Sequence, residues 1–99
     1  MHTLIAHNDD QLAGFISYED NGHIDLLYTD PIFQRRGVAT LLFNGAKAML
    51  PGVELFTEAS LVAKTFFLRQ GFHIVEEQNV PFRGIIFQRC VMRRTVVIA

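Results

Sequence analysis

Strand-like spacing of apolar residues dominates the first third of the chain. Residues 3–6, 12–18 and 23–29 are short runs rich in β-branched and aromatic side chains. The dipeptide Asn21–Gly22 separates the second and third runs, and Asn-Gly readily adopts the two positive φ angles of a type I′ hairpin turn. The pattern therefore predicts three strands joined by tight turns.

The third run alternates along its length. Successive side chains of a strand point to opposite faces, so residues two apart share a face. The even positions Ile24, Leu26 and Tyr28 are predicted to share an apolar face, which makes Tyr28 a core residue. The opposite face is predicted to hold the remaining residues, His23, Asp25, Leu27 and Thr29.

Helical spacing begins after Asp30–Pro31, which ends the third strand. Apolar or small residues then form one stripe of a helix at Val38, Leu41, Leu42, Gly45, Ala46 and Met49. Pro51–Gly52 ends this helix, and residues 53–57 are predicted to form a short strand. Ser60 is a predicted N-cap for a second helix through Gln70, and Gly71 is its predicted left-handed C-terminal cap.

Two more strands are predicted at residues 73–79 and 85–93, with a turn at residues 81–84. The apolar tail of residues 95–99 is suited to extending a strand or pairing with another chain. The order βββαβαββ predicts an α+β fold, with a mixed central sheet and two helices. Residues 1–99 are treated as one domain, because no linker or repeat interrupts them.

Composition narrows the function classes. A formal charge of -1 over 99 residues opposes binding to nucleic acid. The lone Cys90 excludes an intramolecular disulfide, and the spacing of the four histidines predicts no metal site. No run is long enough to span a membrane, and the N-terminus does not resemble a signal peptide. A cytoplasmic protein without a membrane partner is therefore expected.

Charge is unevenly distributed along the chain. The first thirty residues carry acidic side chains and no Lys or Arg: Asp9, Asp10, Glu19, Asp20, Asp25 and Asp30. Residues 78–99 carry only basic ones: Arg83, Arg89, Arg93 and Arg94. The acidic end favours solubility and opposes nucleic-acid binding, while arginines on exposed strands protect an edge from pairing.

The stretch Gln34–Ala39 has the features of an anion site. Gly37 allows close approach of the backbone to a ligand, and the helix that follows offers unpaired N–H groups and a positive dipole end. Arg35 and Arg36 add charge suited to phosphates. Taken alone, the same pattern is also typical of a solvated helix start with surface arginines.

Two motifs resemble those of the GCN5-related N-acetyltransferases. Tyr28–Ala39 resembles motif A, whose signature is Gln/Arg-x-x-Gly-x-Gly/Ala, and Ala63–Phe72 resembles motif B, Ala-x-x-Phe-Tyr-x-x-x-Gly-Phe. They occur in the family's order with one strand between them, and the resemblance covers about residues 11–93. It implies acetyl-coenzyme A as cosubstrate and direct attack of an amine on the thioester, without a covalent enzyme intermediate.

The resemblance also implies which residues contact the cosubstrate. The pyrophosphate is held by the loop and the start of the helix, residues Gln34, Arg35, Arg36, Gly37, Val38, Ala39 and Thr40. The pantetheine arm and the thioester carbonyl are held by main-chain groups of Leu27, Tyr28 and Thr29. The second helix flanks the other side of the cosubstrate through Ser60, Lys64 and Phe67.

Catalytic groups are less defined by the motifs. Family members that use a side-chain base often place a glutamate upstream on the strand before the pyrophosphate loop, where this chain has His23 and Asp25. His23 aligns better, and an imidazole titrates near neutral pH. Both residues equally fit ordinary strand polarity. The family's tyrosine acid falls at Phe67, so Phe66 and Phe67 are interpreted as packing residues, with Tyr18 or Tyr28 as substitute donors.

Members of this family usually begin with a strand and two helices that have no counterpart in this sequence. We therefore expect an exposed apolar face of the sheet and a homodimer in which a partner covers it. Exchange of the C-terminal strands, or of the 95–99 tail, is one way to build such a dimer. The primary hypothesis is an N-acetyltransferase acting on a small-molecule or protein amine. The alternative is a non-catalytic acyl-coenzyme A-binding or protein-interaction module.

Overall fold

A computed structural model describes residues 1–96 and confirms the predicted element order and α+β class. Part of the predicted exchange tail, residues 97–99, lies outside the described residues. The chain forms two units, Met1–Val53 and Glu54–Ala99. The first contains β1 His2–Asn8, β2 Gln11–Tyr18, β3 His23–Thr29, a 3-10 turn Pro31–Phe33 and α1 Val38–Ala48. The second contains β4 Leu55–Ser60, α2 Leu61–Arg69, β5 His73–Phe82 and β6 Ile85–Arg94.

The turn between β2 and β3 differs from the predicted type I′ hairpin. Gly22 has a φ of 98°, but Asn21 is not among the positive-φ residues. The Gly22 N–H donates to the Glu19 oxygen at 3.0 Å, and the Glu19 N–H donates to the His23 oxygen at 2.9 Å. The loop is therefore one residue longer than predicted, a turn over Asp20–Asn21 followed by a left-handed glycine.

A bulge in β3 overturns the predicted distribution of its side chains. Ser17 on β2 pairs with Leu26, and the next residue, Tyr18, pairs with Ile24. Asp25 is therefore the extra residue, and the alternation changes phase there. Ile24 is buried, whereas Leu26 and Tyr28 lie on the other face and are exposed. The interpretation of Tyr28 as a core residue was wrong for this reason.

Helix α1 packs against β1 and β2 through a stripe rotated from the predicted one. Leu42 and Ala46 are buried as predicted, and Phe43 is fully buried beside them. Leu41 and Met49, both predicted to face the core, are exposed. The apolar spacing predicted the helix correctly. The side of the helix that packs on the sheet is rotated toward Phe43, so one edge of the predicted stripe faces solvent.

Two glycines let α1 approach the sheet closely. A Cβ atom on Gly14 of β2 would lie 3.2 Å from both Val38 and Leu42 of the helix. A Cβ atom on Gly45 of α1 would lie 3.0 Å from Leu4 of β1. The first contact fixes the N-terminal turn of α1 on β2, next to the loop that the sequence identifies as an anion site.

In the second unit, α2 has the predicted caps. The Ser60 hydroxyl accepts a hydrogen bond from the Ala63 N–H at 3.2 Å, and Gly71 has a φ of 89°. The Phe72 N–H donates to the Phe67 oxygen at 3.0 Å, which closes the C-terminal turn. Strand β4 begins at Leu55, later than predicted, because residues 51–53 still belong to the turn after α1.

The β5–β6 hairpin contains the tight turn that the sequence analysis placed elsewhere. Its two-residue loop, Arg83–Gly84, has φ angles of 51° and 80°, the two positive values of a type I′ turn. Pro81, predicted to belong to the turn, lies within β5 opposite Ile86. A proline fits there because β5 pairs only with β6 among the strands of this unit.

Candidate functional site

The loop before α1 is anchored at its start by Asp30. The Asp30 N–H donates to the Ala13 oxygen of β2 at 2.9 Å, and its carboxylate accepts from the Ile32 N–H at 3.0 Å. The 3-10 turn that follows buries Phe33. These contacts fix the point at which the chain leaves β3 and enters the loop.

Two left-handed residues shape the loop between Phe33 and α1. Arg35 has a φ of 64° and Gly37 a φ of 77°. A left-handed conformation costs a non-glycine residue roughly 1–2 kcal/mol, so Arg35 is a strained position. Such strain often occurs at functional sites, and neither the motif nor the spacing in the sequence indicated it.

The first turn of α1 presents unpaired donors beside this loop. Gly37 is the N-cap and has no side chain to cap the helix. The helical bonds begin with the Leu41 N–H, which donates to the Gly37 oxygen at 2.9 Å. The N–H groups of Val38, Ala39 and Thr40 therefore have no acceptor within the helix, and they lie at its positive dipole end.

Both loop arginines are exposed, and one is held in place by an aromatic ring. The Arg36 guanidinium carbon lies 5.8 Å from the centroid of the buried Phe33 ring, a cation–π contact. Arg35 is exposed, and its own backbone is in the left-handed conformation. The structure thus combines backbone donors and two positive charges at Gln34–Thr40, an arrangement suited to a multiply charged phosphate group.

The N–H and C=O groups of alternate residues in β3 point either toward β2 or away from it. The bond from the Asp30 N–H to Ala13 shows that Asp30 faces β2, and main-chain groups alternate along an antiparallel strand. Leu27 and Thr29 therefore direct their N–H and C=O groups away from β2, whereas those of Tyr28 face Phe15. Of the three residues predicted to contact the cosubstrate, the geometry favours Leu27 and Thr29.

The two candidate bases lie near the other end of β3. The His23 Nδ1 atom is 3.1 Å from Glu19 Oε1, and its side chain is 18% exposed. The His23 N–H donates to the Asn21 side chain at 3.1 Å. Asp25 is exposed at the bulge. At about 3.3 Å per residue, the bulge lies about 13 Å along the strand from Thr29.

The second unit holds the three residues predicted to flank the cosubstrate, two in α2 and one at its N-cap. The Ser60 hydroxyl serves as the helix cap, and Lys64 is half-buried. Phe67 is 3% exposed and packs edge-on against Phe66 and Phe72, with ring centroids 5.3 and 5.0 Å away. Its interpretation as a packing residue is consistent with this burial, and its contact with the cosubstrate stays a prediction.

A cavity of about 170 Å³ in the second unit had no counterpart in the sequence analysis. It is lined by the start of α2 and by both strands of the hairpin: Leu61, Glu77, Gln78, Asn79, Gln88, Arg89 and Cys90. The pairing register of the strands determines which residues line the cavity, and a short stretch of sequence does not reveal that register.

Within residues 1–96, no group of three or more His, Cys, Asp or Glu side chains could hold a metal ion, and no helix is long and apolar enough to cross a membrane.

Comparisons with known proteins agree with the motif resemblance. The family described as the acetyltransferase (GNAT) domain matches residues 1–94. The uncharacterized N-acetyltransferase YafP of Escherichia coli is 43% identical over 83 residues, which are 84% of this chain and 53% of that protein. The chain thus spans about half the length of this curated relative.

Solved structures show the same fold. A GCN5-related N-acetyltransferase from Rhodopseudomonas palustris aligns with a TM-score of 0.86 and 28% identity, over 95% of this chain and 61% of that one. Arabidopsis thaliana Naa50, in complex with the bisubstrate analogue CoA-Ac-MVNAL, aligns with a TM-score of 0.75 over 95% of this chain and 72% of that one. At 17% identity, the second match shows similarity of fold alone.

Proposed function

Because the chain belongs to the acetyltransferase (GNAT) family, we propose that it transfers an acetyl group from acetyl-coenzyme A to a primary amine. The observation that carries the proposal is the anion site at Gln34–Thr40. Its left-handed Gly37 leads into a helix whose first N–H groups have no helical acceptor, and two exposed arginines lie beside them.

Binding is proposed to divide between backbone and side chains. The N–H groups of Val38, Ala39 and Thr40 hold the pyrophosphate oxygens, and Arg35 and Arg36 neutralise their charge. Main-chain groups of Leu27 and Thr29 bind the pantetheine arm. An N–H from this strand also polarises the thioester carbonyl, because a donor fixed in place stabilises the negative charge that develops on that oxygen.

Of the two candidate bases we propose His23, because a neighbouring carboxylate orients its ring. The Glu19 carboxylate 3.1 Å from Nδ1 favours the tautomer with the proton on Nδ1, in which Nε2 is the basic nitrogen. This pair can take up the proton that the attacking ammonium group must lose. Asp25, exposed at the bulge, is the alternative base.

Proton donation to the departing thiolate does not require an enzyme phenol. Phe67 has no proton to give, and its ring is enclosed by Phe66 and Phe72. The thiolate of coenzyme A is a stable leaving group, and we propose that water protonates it. The acceptor is proposed to be a primary amine, of a small molecule or a protein.

The experiment has two parts, binding and turnover. Calorimetry should detect acetyl-coenzyme A binding by the chain, and a thiol-release assay with a panel of primary amines should detect transfer. Gly37→Glu should abolish binding, because it places bulk and negative charge against the pyrophosphate. Binding without turnover on every amine would favour a non-catalytic acyl-coenzyme A-binding module, and failure to bind would refute both functions.

A further inference from the structure

The cavity in the second unit is built on one face of the β5–β6 hairpin. The strand register pairs Glu77 with Cys90 and Asn79 with Gln88. Register partners, and residues two apart in a strand, lie on the same side of a sheet, so these four side chains share a face. Cys90 is buried there, and Leu61, the first residue of α2, completes the lining. The cavity therefore lies between the start of α2 and the hairpin, within the second unit alone.

The guanidinium of Arg89 lies on the opposite face of the hairpin. Arg89 pairs with Gln78, and both alternate with the four residues above. The Arg89 Nε atom donates to the Gln78 amide oxygen at 2.8 Å, and the Gln78 amide nitrogen donates to the Glu76 carboxylate at 3.2 Å. These contacts hold the positive charge on that side of the sheet. The Glu77 carboxylate therefore gives the cavity a negative character.

The cavity face carries three side-chain oxygen acceptors and one negative charge. The acceptors are the carboxylate of Glu77 and the amide oxygens of Asn79 and Gln88. A primary ammonium group has three N–H donors and one positive charge, which matches this set in number and in sign. Facing Cβ atoms of paired strands are about 5 Å apart, and those two residues apart in a strand are about 7 Å apart, so the three side chains can converge on one nitrogen.

The rest of the lining is apolar. Leu61 is half exposed, and Cys90 is fully buried and acts as a small hydrophobic group. The cavity volume of about 170 Å³ is slightly larger than the roughly 150 Å³ that holds one benzene molecule. A compound with a few carbon atoms therefore fits beside the polar groups.

We propose that this cavity binds a small primary alkylammonium ion. Its nitrogen lies among Glu77, Asn79 and Gln88, and its alkyl chain lies against Leu61 and Cys90. The carboxylate contributes most to binding, because a hydrogen bond with a charged partner is roughly twice as strong as a neutral one. The three polar residues are exposed, so the ligand enters directly from solvent. This inference goes beyond the proposed function and does not rest on acetyl transfer.

Nuclear magnetic resonance titration of the isotope-labelled chain with butylammonium tests the site. Butan-1-ol is the matched ligand control, since it has nearly the same shape and no charge. The side-chain amide signals of Asn79 and Gln88 should shift with butylammonium and give a dissociation constant in the millimolar range. Butan-1-ol should bind about tenfold more weakly or less, because it lacks the charge and two of the three donors.

Three variants assign the binding to this face. Glu77→Gln should raise the dissociation constant for butylammonium about tenfold, because it removes the charge and keeps the shape. Glu76→Gln is the matched control, one residue away on the opposite face, and should leave the constant within about twofold. Gln88→Glu should lower the constant about threefold or more, because it adds a second negative charge beside the ammonium group. A gain of this kind cannot result from loss of the fold.

Three outcomes would each overturn the proposal. They are unshifted amide signals of Asn79 and Gln88 at tens of millimolar butylammonium, equal binding of butan-1-ol, and equal losses for Glu76→Gln and Glu77→Gln. The last would show that butylammonium responds only to the overall charge of the chain. No step involves acetyl-coenzyme A, so a negative result here leaves the proposed function standing, and absence of acetyl transfer leaves this site unaffected.

Discussion

Gly14 on β2 lies so close to Tyr28 on β3 that a Cβ atom on Gly14 would stand 2.4 Å from the Tyr28 carbonyl oxygen. That oxygen is backbone and cannot rotate away. The same Cβ atom would also press on Val38 and Leu42 at the start of α1. Gly14 therefore determines how closely the helix that follows the anion site approaches the strands below it.

Gly14→Ala should destabilise the fold by about 1–3 kcal/mol, because β2, β3 and α1 must all move to admit one methyl group. Chemical denaturation measures the change. Gly45→Ala is the matched control, since its Cβ atom meets only the flexible end of Leu4 and alanine favours a helix interior. We expect the control to stay within about 1 kcal/mol of the unaltered chain. Equal losses for the two variants would contradict this account.

Arg35→Gly should make the chain more stable and the proposed function weaker. Glycine relieves the left-handed strain at Arg35, worth roughly 1 kcal/mol after its extra unfolded-state entropy is counted. Loss of the guanidinium should weaken acetyl-coenzyme A binding about tenfold. Arg35→Ala, which keeps the strain and loses the charge, should weaken binding equally without the gain in stability. Thermal denaturation and calorimetry on both variants separate the two effects.

Gly37→Ala and Gly37→Glu should differ in binding more than in stability. No atom lies within 4 Å of a Cβ atom built on Gly37, so the cost of either side chain is mainly its φ of 77°, about 1 kcal/mol. Alanine should leave measurable binding of acetyl-coenzyme A, whereas glutamate should leave none. If glutamate binds as well as alanine, the pyrophosphate does not lie at this loop.

Arg83→Asn should stabilise the β5–β6 hairpin by about 0.5–1 kcal/mol, because asparagine tolerates the first position of a type I′ turn better than arginine does. Thermal denaturation measures this, with Arg89→Asn as a comparison within the same pair of strands. No gain at Arg83 would show that its cation–π contact with Phe82 compensates for the strained backbone.

Local signals in the sequence predicted the elements, their order and the caps of α2. The Ser60 cap and the Gly71 stop depend on residues within a few positions of each other, so a short window contains them. The type I′ turn was assigned to Asn21–Gly22, where the dipeptide preference is strongest, yet Arg83–Gly84 adopts it. The strand registers on either side decide this, and they are tertiary properties.

The sequence predicted which residues form the candidate anion site, but not the backbone conformation of the loop that carries them. The arginines and Gly37 were identified from the motif and from helix-terminus physics. The left-handed backbone of Arg35 was not, since arginine has no preference for that conformation. The support of Arg36 by Phe33 depends on how the 3-10 turn folds back, which no periodicity in the sequence encodes.

The bulge at Asp25 determines which side chains of β3 lie on each face of the sheet. From the bulge to the end of the strand, successive side chains alternate between the two faces. The number of residues between the bulge and the anion loop therefore decides which side chains face inward, and a change of one residue exchanges the two faces. Deletion of Asp25 would remove the bulge and place Ile24 directly before Leu26, so Leu26 and Tyr28 would keep their outward faces. Deletion of Leu27, which lies after the bulge, would instead turn Tyr28 inward and Thr29 outward and rotate the exit toward Asp30 by half a turn. Single insertions and deletions between Leu26 and Asp30 should therefore not be tolerated, whereas removal of the bulged Asp25, or two compensating changes after it, should be.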